Sequence, residues 1–209
     1  MTGRIIETLD CVAEGADWLA AREPRLAHAL ALCGPLPLRR RPAGFPALLD
    51  AIVGQQVSVA SARAIWARLD GAGLTDRQAM ALASDESLRA AGLSRQKARY
   101  ARALAGSDID FDSLPALEDE DLVRVLTAVP GIGRWTAEIY AMFALGRADV
   151  LAASDLALQV AAQDLFALPA RPTDAQLRAL AQAWSPWRAV AARLLWSYYH
   201  HLQGREGTR

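Results

Sequence analysis

Cysteine, lysine and net charge are what this sequence is short of. Cys11 and Cys33 are its only cysteines, too few for a disulfide framework or a four-cysteine metal or iron-sulfur site. Lys97 is its only lysine, so lysine amine chemistry has a single place to occur. Lys and Arg number 23, as do Asp and Glu, and a net charge of zero does not announce a polyanionic partner. No apolar run reaches the roughly 18 residues of a membrane span. Glu7 and Asp10 stand where a signal peptide would be cationic and then apolar. A soluble, unexported, cytoplasmic protein without a membrane partner is expected.

Of the 209 residues, 53% are hydrophobic and 22% charged, which speaks for a substantial core and against disorder. Ala and Leu abound, and apolar residues recur three and four apart, so an all-α fold is expected. Leu9 to Leu30 give a helical pattern broken at Pro24, and a Pro- and Arg-rich connector runs from Pro35 to Pro46. From Pro46, the spacing of Leu48, Ile52, Val59, Ile65, Trp66 and Leu69 predicts one long helix with Gln55, Gln56 and Ser58 on its polar face. Ser84 and Ser94 can cap shorter helices that Gly92 and Gly106 end. Helices are expected over 117–127 and 134–145, then from Ser154 or Asp155 towards Phe166, from a Thr173/Gln176 capping box, and from Pro186 onward.

Charge is patterned although it cancels. Arg89, Arg95, Lys97, Arg99 and Arg102 form a basic stretch, followed directly by acidic residues from Asp108 to Asp121. Solvated helix faces and a nucleic-acid contact remain equal readings of the basic one.

Pro130-Gly131-Ile132-Gly133 links two of these helices. Two glycines let the chain turn sharply and approach another molecule closely. The amides there and at the start of the next helix, at Arg134, favour an anion such as phosphate. Ile132 can plug back between the helices. A plain tight turn with a glycine cap stays open on the tetrapeptide alone.

The longer run Leu126-Thr127-Ala128-Val129-Pro130-Gly131-Ile132-Gly133-Arg134-Trp135-Thr136-Ala137 resembles the helix-hairpin-helix of the HhH-GPD DNA glycosylase superfamily, in its 3-methyladenine DNA glycosylase II branch. In that superfamily an essential Asp follows the hairpin by about twenty residues and opens a helix. Asp149-Val150-Leu151-Ala152-Ala153-Ser154-Asp155 resembles that segment and puts Asp155 at the catalytic position. Helix-start amides and the macrodipole favour a negative charge there, as an ordinary N-cap would also use. A fixed carboxylate can stabilise the oxocarbenium-like sugar that forms as an N-glycosidic bond breaks.

The same resemblance implies further roles. Trp135 and Trp196, the latter within Trp187-Arg188-Ala189-Val190-Ala191-Ala192-Arg193-Leu194-Leu195-Trp196, match positions lining the pocket for a flipped base, with Tyr140 nearby. Trp187 reads as core. In Ile52-Val53-Gly54-Gln55-Gln56-Val57-Ser58 the wedge position falls on Gln56, beside Gln55, where some relatives carry leucine. Gly131, Ile132, Gly133, Arg134 and Ser58 are implied as phosphate-binding, and the backbone carbonyls of Thr127, Val129 and Ile132 as holders of a Na+ or K+ ion. The position that is a nucleophilic lysine in strand-nicking relatives is Trp135 here, so no lyase step is expected. Ile139 replaces a pocket tyrosine of the best-known bacterial relatives, which leaves substrate range open.

The resemblance covers roughly residues 45–200 and omits the N-terminal β-containing domain of larger bacterial relatives. It implies a two-lobed helix-hairpin-helix fold with DNA in a cleft. One lobe is expected to comprise 1–44 and 143–209, the other 45–142 with the motif at about 117–146. The implied activity is hydrolytic removal of alkylated purines such as 3-methyladenine from double-stranded DNA by a monomer that requires no cofactor and has no iron-sulfur cluster. A glycosylase for hypoxanthine or uracil and a noncatalytic DNA-binding protein are the alternatives.

Overall fold

The computed structural model describes residues 3–206, and among them secondary structure is helical apart from one antiparallel bridge between Ile5 and Arg147. Side-chain caps start most of the helices. Helix α1 (Leu9–Ala20) begins where Thr8 accepts the Cys11 amide, and α2 (Pro24–Cys33) has Glu23 as cap and proline in its first turn. Helices α3 (Phe45–Gly54) and α4 (Val59–Gly71) follow, then α5 (Arg77–Leu82), α6 (Asp85–Ala90) and α7 (Arg95–Ala105), capped by Asp76, Ser84 and Ser94. Each such cap satisfies an amide that the helix itself leaves unpaired and contributes about 1 kcal/mol. Helix α8 (Asp119–Thr127) carries Asp119, Glu120 and Asp121 in its first turn, favourable to the dipole. Helices α9 (Arg134–Phe143), α10 (Leu156–Leu165), α11 (Asp174–Leu180) and α12 (Arg188–Glu206) complete the order.

The expected single helix from Pro46 to Leu69 is two. Gly54 ends α3, Gln55 is extended (φ −60°, ψ 130°), Gln56 adopts φ +55°, and Ser58 caps α4 through the Ser61 amide. The apolar spacing runs on across a stop signal and a start signal, but Val57 and Val59 are 39% and 69% exposed, so the spacing there reports no buried face. Elsewhere the differences are of register. Helix α8 starts at Asp119 rather than Leu117, α9 ends at Phe143 rather than Leu145, and the last helix starts two residues after Pro186. The Thr173/Gln176 capping box forms as expected, and Asp155 rather than Ser154 is the cap of α10.

The chain divides into two compact units, one holding residues 3–40 and 141 onward, the other 41–140. In the first, α12 packs on α1, α2 and α10. Val12, Leu19, Leu26, Leu158, Ala161, Val190 and Leu195 are buried there. In the first turns of α12 Ala189 to Ala192 are fully buried, which suits a central helix. Helices α1 and α12 meet so closely that a Cβ on Gly15 would lie 2.7 Å from the Trp187 ring and from Val190. Trp187 is 2% exposed and is core, as expected.

In the second unit α3 packs on α4 and α7, and α7 also on α5 and α6. Leu48, Leu49, Ile52, Leu69, Met80, Leu88 and Leu104 are buried there, and Phe45 meets Phe111 edge to face at 6.2 Å. Among the described residues no helix is long and apolar enough to cross a membrane.

Candidate active site and nucleic-acid interface

The segment before α10 explains why Asp155 stands where it does. Val150 to Ala153 are buried, and the Asp155 amide donates to the Ala152 carbonyl at 3.0 Å. Gln159 and Arg178 donate to the carbonyls of Ala153 (2.9 Å) and Leu151 (3.2 Å). Arg178 is itself fixed by two bonds to Asp174. Further along, Asp149 accepts two bonds from Arg188 and one from Ser185, all 2.7 Å. Burial opposes the charge of Asp149, but these donors outweigh it and hold its pKa below the ordinary value.

Three donors converge on one oxygen of Asp155. Its Oδ1 accepts the amides of Ala157 (3.0 Å) and Leu158 (3.3 Å) and the indole N–H of Trp196 (3.2 Å). A helix cap alone would use the two amides. The third donor comes from α12, forty-one residues on, and orients both groups at once: the indole fixes the carboxylate and the carboxylate fixes the ring. Trp196 is 9% exposed and lies against Phe143 with centroids 5.7 Å apart and planes 36° apart. The Arg193 guanidinium sits 4.9 Å from the Phe143 centroid. Arg193 is fully buried and donates to the carbonyls of Leu38 and Ala189. Burial, with the neighbouring charges of Arg39 and Arg40, pushes its pKa down to about 10, so it stays cationic at neutral pH.

The hairpin belongs to the other unit. Val129 and Ile132 are buried, and the Ile132 amide donates to the Val129 carbonyl at 3.1 Å. That amide therefore serves the turn. The glycines differ. Gly131 has φ +93°, and a Cβ there would lie 2.3 Å from the Tyr100 ring. Around Gly133 a Cβ would meet nothing in the protein within 4 Å. Arg134 is ion-paired with Glu138 (2.9 Å) and Glu120 (3.0 Å), so its side chain reaches any phosphate only in competition with two carboxylates.

Other expected site residues are placed as follows. Trp135 is 41% exposed at the start of α9. Tyr140 is 4% exposed and its hydroxyl accepts the Gly44 amide at 3.0 Å. Burial raises its pKa. The Ser58 hydroxyl is engaged with Ser61 as the α4 cap. Gln56 is exposed, whereas Gln55 donates to the Gly131 carbonyl at 2.9 Å. Lys97 donates to the Val53 carbonyl at 2.7 Å. A pocket of about 240 Å³ is lined by Gln55, Gln56, Val57, Ser94, Lys97 and Tyr100 among others. A second, of about 220 Å³, is lined by Arg89, Arg95, Arg99, Arg102 and Asp85 with apolar neighbours. There Asp85 pairs with Arg102 at 2.6 Å.

Sequence reasoning missed Phe143 and Arg193. The signal for Arg193 was a lone charge inside the apolar run Ala189 to Leu195. Phe143 carried none that spacing reads, and Lys97, read only as part of the basic stretch, bonds the Val53 carbonyl.

Comparison with known proteins bears on both regions. The family described as HhH-GPD superfamily base excision DNA repair protein matches residues 49–186. DNA-3-methyladenine glycosylase 1 of Schizosaccharomyces pombe is 30% identical over 162 residues, covering 73% of this chain and 71% of the relative. The crystal structure of DNA-3-methyladenine glycosidase from Bacillus halodurans superposes with a TM-score of 0.81 at 33% identity, over 91% of each chain. The S. pombe 3-methyladenine DNA glycosylase in complex with abasic DNA superposes with a TM-score of 0.76 at 27% identity, over 88% of this chain and 95% of that one.

Proposed function

The chain belongs to the HhH-GPD superfamily of base excision DNA repair proteins, and from that premise we propose that it hydrolyses the N-glycosidic bond of alkylated purines, 3-methyladenine foremost, leaving an abasic site in an unbroken strand. The observation that carries this reading is Asp155, held by two amides and the Trp196 indole on one oxygen. A carboxylate fixed in advance stabilises a cation that forms only in the transition state, and it need not reorganise as that charge develops. An alkylated purine is itself cationic and leaves readily, so one carboxylate suffices without a general acid.

The remaining residues bind and orient. Trp196 and Trp135 offer aromatic faces to a flipped, electron-poor base. Tyr140, buried and bonded to Gly44, supports the packing of its own unit. Gln56 enters the gap that the base leaves, where its amide can pair with the orphaned partner. The amides of Gly131, Gly133 and Arg134 grip the backbone, and bare Gly133 suits a close phosphate. Double-stranded DNA is the partner, and a monomer does the work. The carbonyls of Thr127, Val129 and Ile132 fit a Na+ or K+ ion, since each is a hard neutral oxygen and the one already used, that of Val129, keeps a second lone pair. Such an ion would supply positive charge toward a phosphate. No lysine stands near the motif in sequence, which supports a purely hydrolytic outcome.

The test is release of bases from methylated duplex DNA, resolved by base identity, with strand breaks scored before and after alkali and Asp155→Asn in parallel. Methylated purines freed by the wild type alone, with breaks only after alkali, are expected. Tight DNA binding without any release would replace the reading with a noncatalytic one, and release of hypoxanthine or uracil alone would move the substrate class.

A further inference from the structure

Two adjacent glutamines separate α3 from α4, and the fold uses them differently. Gln56 is exposed in the left-handed region at φ +55°. An L side chain adopts that conformation only where its surroundings over-determine it. Packing does not supply the determination here. Val57 and Val59 are exposed, a Cβ on Gly54 would meet nothing within 4 Å, and a pocket of about 240 Å³ lies behind the segment. Hydrogen bonds do. On one side of Gln56, Gln55 Nε2 donates to the Gly131 carbonyl and Lys97 Nζ to the Val53 carbonyl. On the other, Ser58 caps α4.

The acceptor of the Gln55 bond matters. Gly131 is the hairpin residue at φ +93°, packed so near Tyr100 that a Cβ would lie 2.3 Å from the ring. Its carbonyl belongs to a closely packed turn, in the same run as the amides assigned to phosphate. Gln55 bridges the hairpin and the wedge directly. Glutamate at this site would set a carboxylate against a carbonyl. Leucine has nearly the same bulk and no donor.

Resting on the glycosylase reading, we propose that Gln55 and Lys97 are positioning residues that hold Gln56 ready to enter the duplex, and that Gln55 couples that entry to the hairpin's grip on the backbone. Neither touches the reacting atoms. Both act through Gln56, and this yields a signature that loss of fold would not give.

The experiment is a double-mutant cycle of Gln55→Leu and Lys97→Met, each alone and with Gln56→Ala. It is read by single-turnover release of 3-methyladenine from duplex DNA and by 2-aminopurine fluorescence beside the lesion as a report of unstacking. Loss of one such hydrogen bond is expected to slow release and lower unstacking about tenfold, with melting temperature and affinity for abasic DNA nearly unchanged. In the Gln56→Ala background the same substitutions should cost less than about twofold, because sites that act as one unit are non-additive. A lesion in an unpaired bulge, already out of the stack, should restore most of the lost rate. Full additivity, or equal losses on paired and bulged lesions, overturns the proposal. If the wild type frees no methylated base, the glycosylase reading fails first, and the fluorescence cycle alone then decides the coupling.

Discussion

The two units solve opposite problems. Around Asp155 the fold is finished: the preceding segment is buried, three donors meet one carboxylate oxygen, and the indole that supplies the third lies tilted against a ring backed by a buried cation. Around the hairpin and the Gln56 segment it is left open. Around Gly133 a Cβ would meet nothing, Gln56 and Trp135 are exposed, and Gln56, at φ +55°, follows a glutamine bonded to the hairpin beside a cavity of about 240 Å³. Chemistry that depends on a fixed field requires the first arrangement. Binding a long, deformable polyanion suits the second, where the ligand completes the packing.

Asp155→Asn tests that contrast most severely. Asparagine caps a helix about as well as aspartate, so folding and DNA affinity should persist while base release falls about a thousandfold or more; retained activity would place the chemistry elsewhere. The two hairpin glycines should then separate cleanly. Gly131→Ala, forced onto Tyr100 at positive φ, should cost about 3 kcal/mol and lower the melting temperature by about 10 °C. Gly133→Ala should leave stability equal or raised by about 0.5 kcal/mol and weaken DNA binding. If both unfold the protein, the open character assigned to Gly133 is wrong.

A smaller effect lies at Asp149. Its pKa is below the unfolded value, so the stabilisation is present above about pH 4 and lost as pH falls through the folded pKa. Asp149→Asn should cost about 2 kcal/mol at pH 7 and remove that acid-sensitive component, visible in urea unfolding at pH 7 and pH 3. The smallest change belongs to the arginines lining the second pocket. Arg89, Arg95 and Arg99, each changed to Ala, should flatten the salt dependence of DNA binding by about 0.9 log units per log unit of salt for every phosphate left without its guanidinium. An unchanged slope would make that pocket a solvated helix face.

Much of the fold in both units was legible in the sequence because it obeys local rules. Caps at Ser84, Ser94 and Thr173 announce themselves, Asp155 does so as an N-cap, and Trp187 in an apolar run reads as core. What escaped depends on pairings far apart in the chain. The indole N–H of Trp196 finds Asp155 across forty-one residues, and Gln55 finds Gly131 across seventy-six. No periodicity encodes either. The break at Gln56 escaped for another reason: a left-handed residue is expected at glycine or asparagine, and a glutamine held there by neighbours carries no local sign.

The glycine at position 15 reaches further than its own helix. With no side chain between them, α1 and the buried start of α12 share one surface, and Trp187 and Val190 are shielded by backbone. The N-terminal helix is thus a wall of the compartment that fixes Asp155, so a deletion ending near Glu23 would unroof the helix from which Trp196 reaches the carboxylate. Engineering at that end of the chain should be read first as a change to the surroundings of Asp155.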